Sequence, residues 1–286
     1  MTENSRPLVN VDWLYRHLDD STLRIVDASW HMPATGRDAY AEYLKGHIPN
    51  AVFFDIDKNC ADSDLPHMLP SRNAFADAMS ALGISATDTV VVYDSIGLFS
   101  APRVWWMLRY FGVSEVLVLD GGLPAWRDKG HSLVSDKVDL VPGRFSAQNS
   151  YEHVVNAEQV MNHVRESGSL IFDARSVGRF TGEESEPRAG LRSGHIPGSH
   201  NLPFTELLNN GKLKSNDELS RIFKRYPLEG ASTIITSCGS GVTAALISLA
   251  LYCIGIKEVA LYDGSWAEWG AHDELPVAQG PSLDYS

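Results

Sequence analysis

Cysteine is scarce in this chain, with three among 286 residues and no two closely spaced. An odd, scattered set builds no disulfide framework and points to a reducing compartment, so a cytoplasmic location is expected. Basic residues are also in deficit, 24 against 36 acidic ones, for a formal charge of -12. Without a basic run or stripe the chain has little to offer a phosphate backbone, and nucleic acid is not an expected partner. Long apolar runs are missing too. The most apolar helical stretch, Ala244 to Ile254, is too short to span a bilayer, so no membrane partner is expected. The opening Met1-Thr2-Glu3-Asn4-Ser5-Arg6-Pro7 lacks the basic-then-apolar order of a secretory leader. The ten histidines form no metal-ligand spacing with the cysteines, and no metal is expected. What is present, 44% hydrophobic and 21% charged residues, is a globular composition long enough for two domains.

One stretch organises the rest: Ile234-Ile235-Thr236-Ser237-Cys238-Gly239-Ser240-Gly241-Val242-Thr243, followed by the Ala/Leu-rich run from Ala244 to Leu251. The β-branched residues before Cys238 predict a buried strand, and the run after Thr243 predicts a helix ending near Gly255. Cys238 then stands at a strand's carboxyl end. Gly239 and Gly241 let successive N–H groups turn inward, and the helix adds its unpaired amides and positive dipole end. Such a cradle stabilises an anion, and a thiolate at Cys238 is a nucleophile near neutral pH. Cys60, in a polar loop, and Cys253, in an apolar helix, have no cradle.

The second half of the chain replays the first. Leu23-Arg24-Ile25-Val26-Asp27-Ala28 matches Ser169-Leu170-Ile171-Phe172-Asp173-Ala174, and Gly46-His47-Ile48-Pro49 matches Gly194-His195-Ile196-Pro197. Leu119-Asp120-Gly121-Gly122 matches Tyr262-Asp263-Gly264-Ser265, and the near-constant offset sets Asp94 opposite Cys238 and Trp126 opposite Trp269. Strands alternating with helices predict an α/β fold with an open, mainly parallel sheet in each copy and functional loops at the strands' carboxyl ends. The expected organisation is residues 1–135, an inactive copy; 136–151, a polar linker containing Pro142-Gly143; and 152–286, the reactive copy. His47 and His195 recur in both copies, which points to shaping a turn rather than to catalysis. The tryptophans at 105, 106, 126, 266 and 269 read as packing anchors.

These features together resemble the two-domain rhodanese-type sulfurtransferases. The likeness covers nearly the whole chain and rests on six segments. They are the duplicated Gly-His-Ile-Pro segments, Ser100-Ala101-Pro102-Arg103-Val104-Trp105-Trp106, His67-Met68-Leu69-Pro70, the Cys238–Thr243 loop, and Tyr262-Asp263-Gly264-Ser265-Trp266. The resemblance implies two tandem rhodanese-like domains, the first inactive because a carboxylate such as Asp94 cannot carry sulfur. It implies a Cys238 persulfide that takes sulfur from 3-mercaptopyruvate, releases pyruvate, and passes the sulfur to a thiol such as thioredoxin or glutathione, or to cyanide. No external cofactor is expected, since the carried atom stays on the chain.

The resemblance further implies that Arg179 and Arg188 bind the substrate carboxylate, which suits the arginine fork. The competing possibility is that they are surface arginines paired with Glu183, Glu184 and Glu186. Gly239, Gly241, Val242 and Thr243 complete the implied binding loop. Ser240, His67 and Asp57 are implied as a proton relay, with His67 and Asp57 supplied by the first domain. Thiosulfate-using relatives place basic residues directly after the cysteine, where this chain has Gly239 and Ser240, which favours a singly charged donor. A thiosulfate:cyanide sulfurtransferase and a non-catalytic binding module remain the alternatives. A cysteine phosphatase needs an arginine six residues after its nucleophile, and that position is Ala244.

Overall fold

The computed structural model describes residues 6–136, 138, 140–148, 153–166 and 168–282. Contacts gather the chain into two units, neither of them one continuous stretch: Met1–Asp62, Leu69–Tyr151 and Asn210–Leu213 form the first, and Ser63–Met68, Glu152–Asn209 and Lys214–Ser286 the second.

The first unit is built from β1 (Leu8–Val9), α1 (Val11–Arg16), β2 (Leu23–Asp27), α2 (Ala39–Lys45), β3 (Ala51–Phe53), α3 (Arg72–Ala81), β4 (Thr89–Tyr93), α4 (Ala101–Tyr110), β5 (Glu115–Leu119) and α5 (Gly122–Asp128). Its sheet runs β1-β5-β4-β2-β3, and every described strand pair in it is parallel. β4 is buried from Val90 to Tyr93, as expected of a central strand covered on both faces. Ser71 accepts from the Ala74 amide at 3.2 Å and so caps α3. That cap sets the start of the helix at Arg72. Ile25, Val91, Tyr93, Leu119, Leu123 and Trp126 centre one core layer. Trp105 and Trp106 are fully buried on α4.

Residues 137, 139 and 149–151 of the expected linker lie outside the described residues. Its described part packs on the first unit. The Gly143 amide donates to the Ser80 carbonyl at 2.8 Å, and Phe145 meets Phe75 edge-on at 5.7 Å. A Cβ on Gly143 would lie 2.4 Å from the Ile84 carbonyl oxygen, so the glycine that reads as a linker signal serves a close backbone approach.

The second unit carries β6 (His153–Val155), α6 (Ala157–Arg165), β7 (Ser169–Asp173), α7 (Val177–Thr181) and β8 (His200–Asn201). The two-residue strand β9 (Leu208–Asn209) follows, then, after β10 (Lys212–Leu213), which belongs to the first unit, α8 (Asn216–Phe223), β11 (Thr233–Ser237), α9 (Ala244–Cys253), β12 (Val259–Tyr262) and α10 (Ser265–Trp269) complete the series. The second five-stranded sheet runs β6-β12-β11-β7-β8, again parallel in every described pair. Substituting each strand by its sequence counterpart turns one order into the other, so the repeat holds in three dimensions. Capping boxes at Asn156/Gln159 and Ser215/Glu218 set the starts of α6 and α8. α9 is buried from Ala244 to Leu251, in keeping with its nearly uniform apolar composition.

The two Gly-His-Ile-Pro segments do the same thing. His47 pairs with Val134, and His195 with Ala278, as isolated antiparallel bridges. Each ring Nδ1 also lies 2.8 Å from a carbonyl oxygen, of Tyr43 and of Phe180 respectively.

Candidate active site

β4 and β11 each lead into a loop at the carboxyl edge of a sheet, and the first unit shows what that loop does. The Asp94 carboxylate accepts five backbone N–H groups: Ile96 and Gly97 on Oδ1 at 2.9 and 2.7 Å, and Phe99, Ser100 and Ala101 on Oδ2 at 2.7, 3.0 and 2.9 Å. The loop is an anion cradle with its anion built in.

In the second unit Cys238 takes the place of Asp94 and is buried, with 2% exposure. Among the described residues, no protein acceptor meets the N–H groups of Gly239, Ser240, Gly241, Val242 and Thr243. Gly241 has φ +76°, as Gly97 has φ +122°, and this turns the amides inward. The loop is pinned from outside. Trp266 and Ala267 amides donate to the Cys238 and Gly239 carbonyls, both at 2.9 Å, and the Cys238 amide donates to Ser265 Oγ at 3.2 Å. The arrangement is therefore the same cradle with a thiol where the carboxylate stood.

Ser265 explains part of that pinning. Its backbone is left-handed, φ +50°, where the first copy has Gly122 at φ +54°. A left-handed serine costs about 1–2 kcal/mol relative to glycine. Here its hydroxyl donates to the Tyr262 carbonyl at 2.8 Å while accepting from Cys238.

Both predicted arginines converge on the loop. A Cβ on Gly239 would lie 3.0 Å from Arg179 Nη2 and 3.7 Å from Arg188 Nη1. Arg188 Nη2 donates to Ser240 Oγ at 3.4 Å, and His67 Nδ1 lies 2.9 Å from the same oxygen. His67 is buried and has φ +60°. It sits in the Ser63–Met68 segment, which groups with the second unit rather than the first. Asp57 belongs to the first unit, where its carboxylate accepts from the Trp30 indole at 2.9 Å.

The competing expectation for Arg179 also holds in part. Its Nε and Nη2 donate to the two oxygens of Glu186 at 3.0 and 2.5 Å. The pair is not a surface one, since the Arg179 and Glu186 side chains are only 17% and 2% exposed. Glu186 also accepts from Arg175 at 2.9 Å, and Arg175 in turn grips both Asp173 oxygens while its guanidinium lies 4.3 Å from the Trp266 ring centroid. Burial opposes the Arg175 cation, yet Asp173 and Glu186 more than offset it and raise its pKa. Sequence reasoning passed over Arg175 and Ser265. The signal lay in the repeat itself, because Arg175 stands opposite Ser29 and Ser265 opposite Gly122. Arg192 is structural, its guanidinium spanning the carbonyls of Trp269, Gly270, His272 and Leu275.

Among the described residues no three His, Cys, Asp or Glu side chains are grouped to hold a metal, and no helix is long and apolar enough to cross a membrane.

Known proteins resemble the chain over most of its length. The Rhodanese-like domain family matches twice, over residues 10–129 and 156–272. The chain is 48% identical over 271 residues to 3-mercaptopyruvate sulfurtransferase of Escherichia coli strain K12, covering 94% of this chain and 96% of that one. The enzyme of the same name from Mus musculus is 43% identical over 286 residues, covering 96% of each chain. The crystal structure of SseA from Escherichia coli, a 3-mercaptopyruvate sulfotransferase of rhodanese fold, aligns with a TM-score of 0.82 at 46% identity, over 91% of this chain and 99% of that one.

Proposed function

This chain belongs to the rhodanese-like family, and on that premise we propose that it moves sulfur from 3-mercaptopyruvate through a persulfide on Cys238. The observation that carries the assignment of Cys238 is the matched pair of loops. Asp94 fills one cradle with a carboxylate, while in the other Cys238 stands at the matching position and, among the described residues, the amides of residues 239–243 meet no protein acceptor.

The chemistry balances without a cofactor. The Cys238 thiolate attacks the donor sulfur, an S–S bond forms, and the C–S bond of 3-mercaptopyruvate breaks. The bonding electron pair leaves with the three-carbon skeleton as the enolate of pyruvate, which then takes a proton. Arg179 and Arg188, over Gly239, hold the donor carboxylate, and the loop amides stabilise the negative charge that develops beside them. The pairing of Ser240 with His67 suits the proton step, with Arg188 holding the hydroxyl in place. In the second half-reaction an acceptor attacks the outer sulfur and Cys238 leaves as a thiolate. A low-molecular-weight thiol such as glutathione, a protein dithiol such as thioredoxin, and cyanide all have the required nucleophile.

The test is direct. Cys238→Ser is expected to abolish pyruvate release, and mass spectrometry of the unmodified protein after donor treatment is expected to place one added sulfur on Cys238. Finding that sulfur on Cys60 or Cys253 would overturn the assignment.

A further inference from the structure

Arg179 reaches the catalytic loop as the last member of a ladder of alternating charge. Asp173 holds Arg175, Arg175 and Arg179 share Glu186, and the Arg179 guanidinium lies over Gly239 with Nη2 nearest. Three of the four side chains are at most 3% exposed, and Arg179 is 17% exposed. Two acids and two arginines sum to zero. The ladder is peculiar to the reactive copy, since the position of Arg175 is Ser29 in the first.

We infer that Glu186 is a specificity residue that sets the donor charge this site accepts, by cancelling the charge of Arg179 while leaving its guanidinium available to donate hydrogen bonds. The inference rests on the reading of 3-mercaptopyruvate as donor and deepens it. Glu186 uses both oxygens on the Nε and Nη2 edge of Arg179. The face turned toward the loop is led by Nη2, 3.0 Å from the Gly239 Cβ position, which keeps a second N–H beyond the one given to Glu186, with Nη1 behind it at 3.8 Å. A carboxylate donor can take hydrogen bonds from that face, but it meets one unit less of positive charge than the two arginines alone would supply. A singly charged donor loses little by this. A doubly charged donor such as thiosulfate loses twice as much, because the Coulomb energy scales with its charge. Burial of Glu186 keeps the effect from being screened away by salt. Selection against the dianion thus comes from a negative group placed behind the binding arginine as well as from the absence of cations after Cys238.

Glu186→Gln keeps the size and one acceptor oxygen but removes the charge. The quantity to measure is kcat/KM for thiosulfate divided by kcat/KM for 3-mercaptopyruvate, at one ionic strength. In E186Q this ratio is expected to rise about tenfold, the scale of one unit charge acting through partly wet protein. In the double variant R179Q/E186Q the rise is expected to vanish, because the charge that Glu186 was cancelling is gone. A role confined to holding Arg179 in place would slow both donors together, and an unchanged ratio in folded E186Q overturns the inference. Should E186Q fail to fold, Arg179→Gln alone decides. With Glu186 left in place the ratio is expected to fall about tenfold, and a constant ratio again overturns it. Pyruvate release by the unmodified protein is the control on the premise. Its absence would refute the donor reading itself, whereas native turnover with an unmoved ratio refutes only the role of Glu186.

Discussion

Residues at one loop position separate the two copies: Asp94 closes the first cradle and Cys238 opens the second. The comparison yields a prediction that runs against the usual outcome of a core substitution. Cys238→Asp supplies the second loop with the carboxylate that the first already has. Sulfur transfer is expected to disappear while the melting temperature stays level or rises, because charge-assisted bonds to otherwise unpaired amides contribute about 1.5–3 kcal/mol each before desolvation is set against them. A clear drop in melting temperature would show that the two loops are not equivalent cradles. The reverse change, Asp94→Asn, is expected to destabilise the chain by about 2 kcal/mol in denaturant titration, since neutral oxygen and an NH₂ group replace a carboxylate that accepts five N–H groups. At Ser265 the first copy supplies the control, because Gly122 adopts the same backbone angle. Ser265→Gly is therefore expected to fold, yet to lower kcat about tenfold with little change in KM, as loss of the Oγ bond frees the Cys238 amide. Native kcat in this variant would reduce Ser265 to a packing residue.

At the scale of elements, the strand–loop–helix unit of β11 and α9 is fixed by short-range chemistry. A β-branched run, two glycines and an Ala/Leu helix are enough to place Cys238, and each was legible in the sequence. The elements that complete the site are not local to it. α7 brings Arg179 to Gly239, and the segment around His67 reaches Ser240 across 173 positions. No periodicity records such a meeting, because side chains that touch through packing leave no spacing in the chain. Gly239 marks where these elements meet. A Cβ there would stand 3.0 Å from Arg179 Nη2, so Gly239→Ala must push the guanidinium aside by a few tenths of an ångström. KM for 3-mercaptopyruvate is expected to rise severalfold with kcat less affected, and isothermal titration with pyruvate would register the same weakening. Equal kinetics in the alanine variant would mean that the guanidinium yields without loss of binding.

Across the whole molecule, the two copies differ in how they meet acid. His195 and His200 in the second unit are held below the ordinary histidine value of 6.5, mainly by burial. Their unfolded forms bind protons first, so the stability they contribute as neutral rings is lost as pH falls through 6.5. In the first unit Glu42 is held at about 2, principally by its hydrogen bonds from Arg37, and its contribution is lost only as pH falls below 4.5. Hydrogen exchange read by mass spectrometry between pH 7 and 5 is expected to show protection falling first within residues 153–282. Uniform loss across both units would contradict this. The sequence by itself determined the duplicated α/β plan, the parallel sheets, the shaping role of the two Gly-His-Ile-Pro turns and the place of Cys238 at a strand's end before a glycine loop, because strand composition, turn glycines and internal repetition act over a few residues at a time. Only the tertiary structure decided that the arginines converge on Gly239, that Arg179 arrives already neutralised by Glu186, and that a left-handed serine pins the Cys238 amide. Those features arise when buried charges must find partners and hydroxyls must find acceptors among groups the chain brings together only on folding.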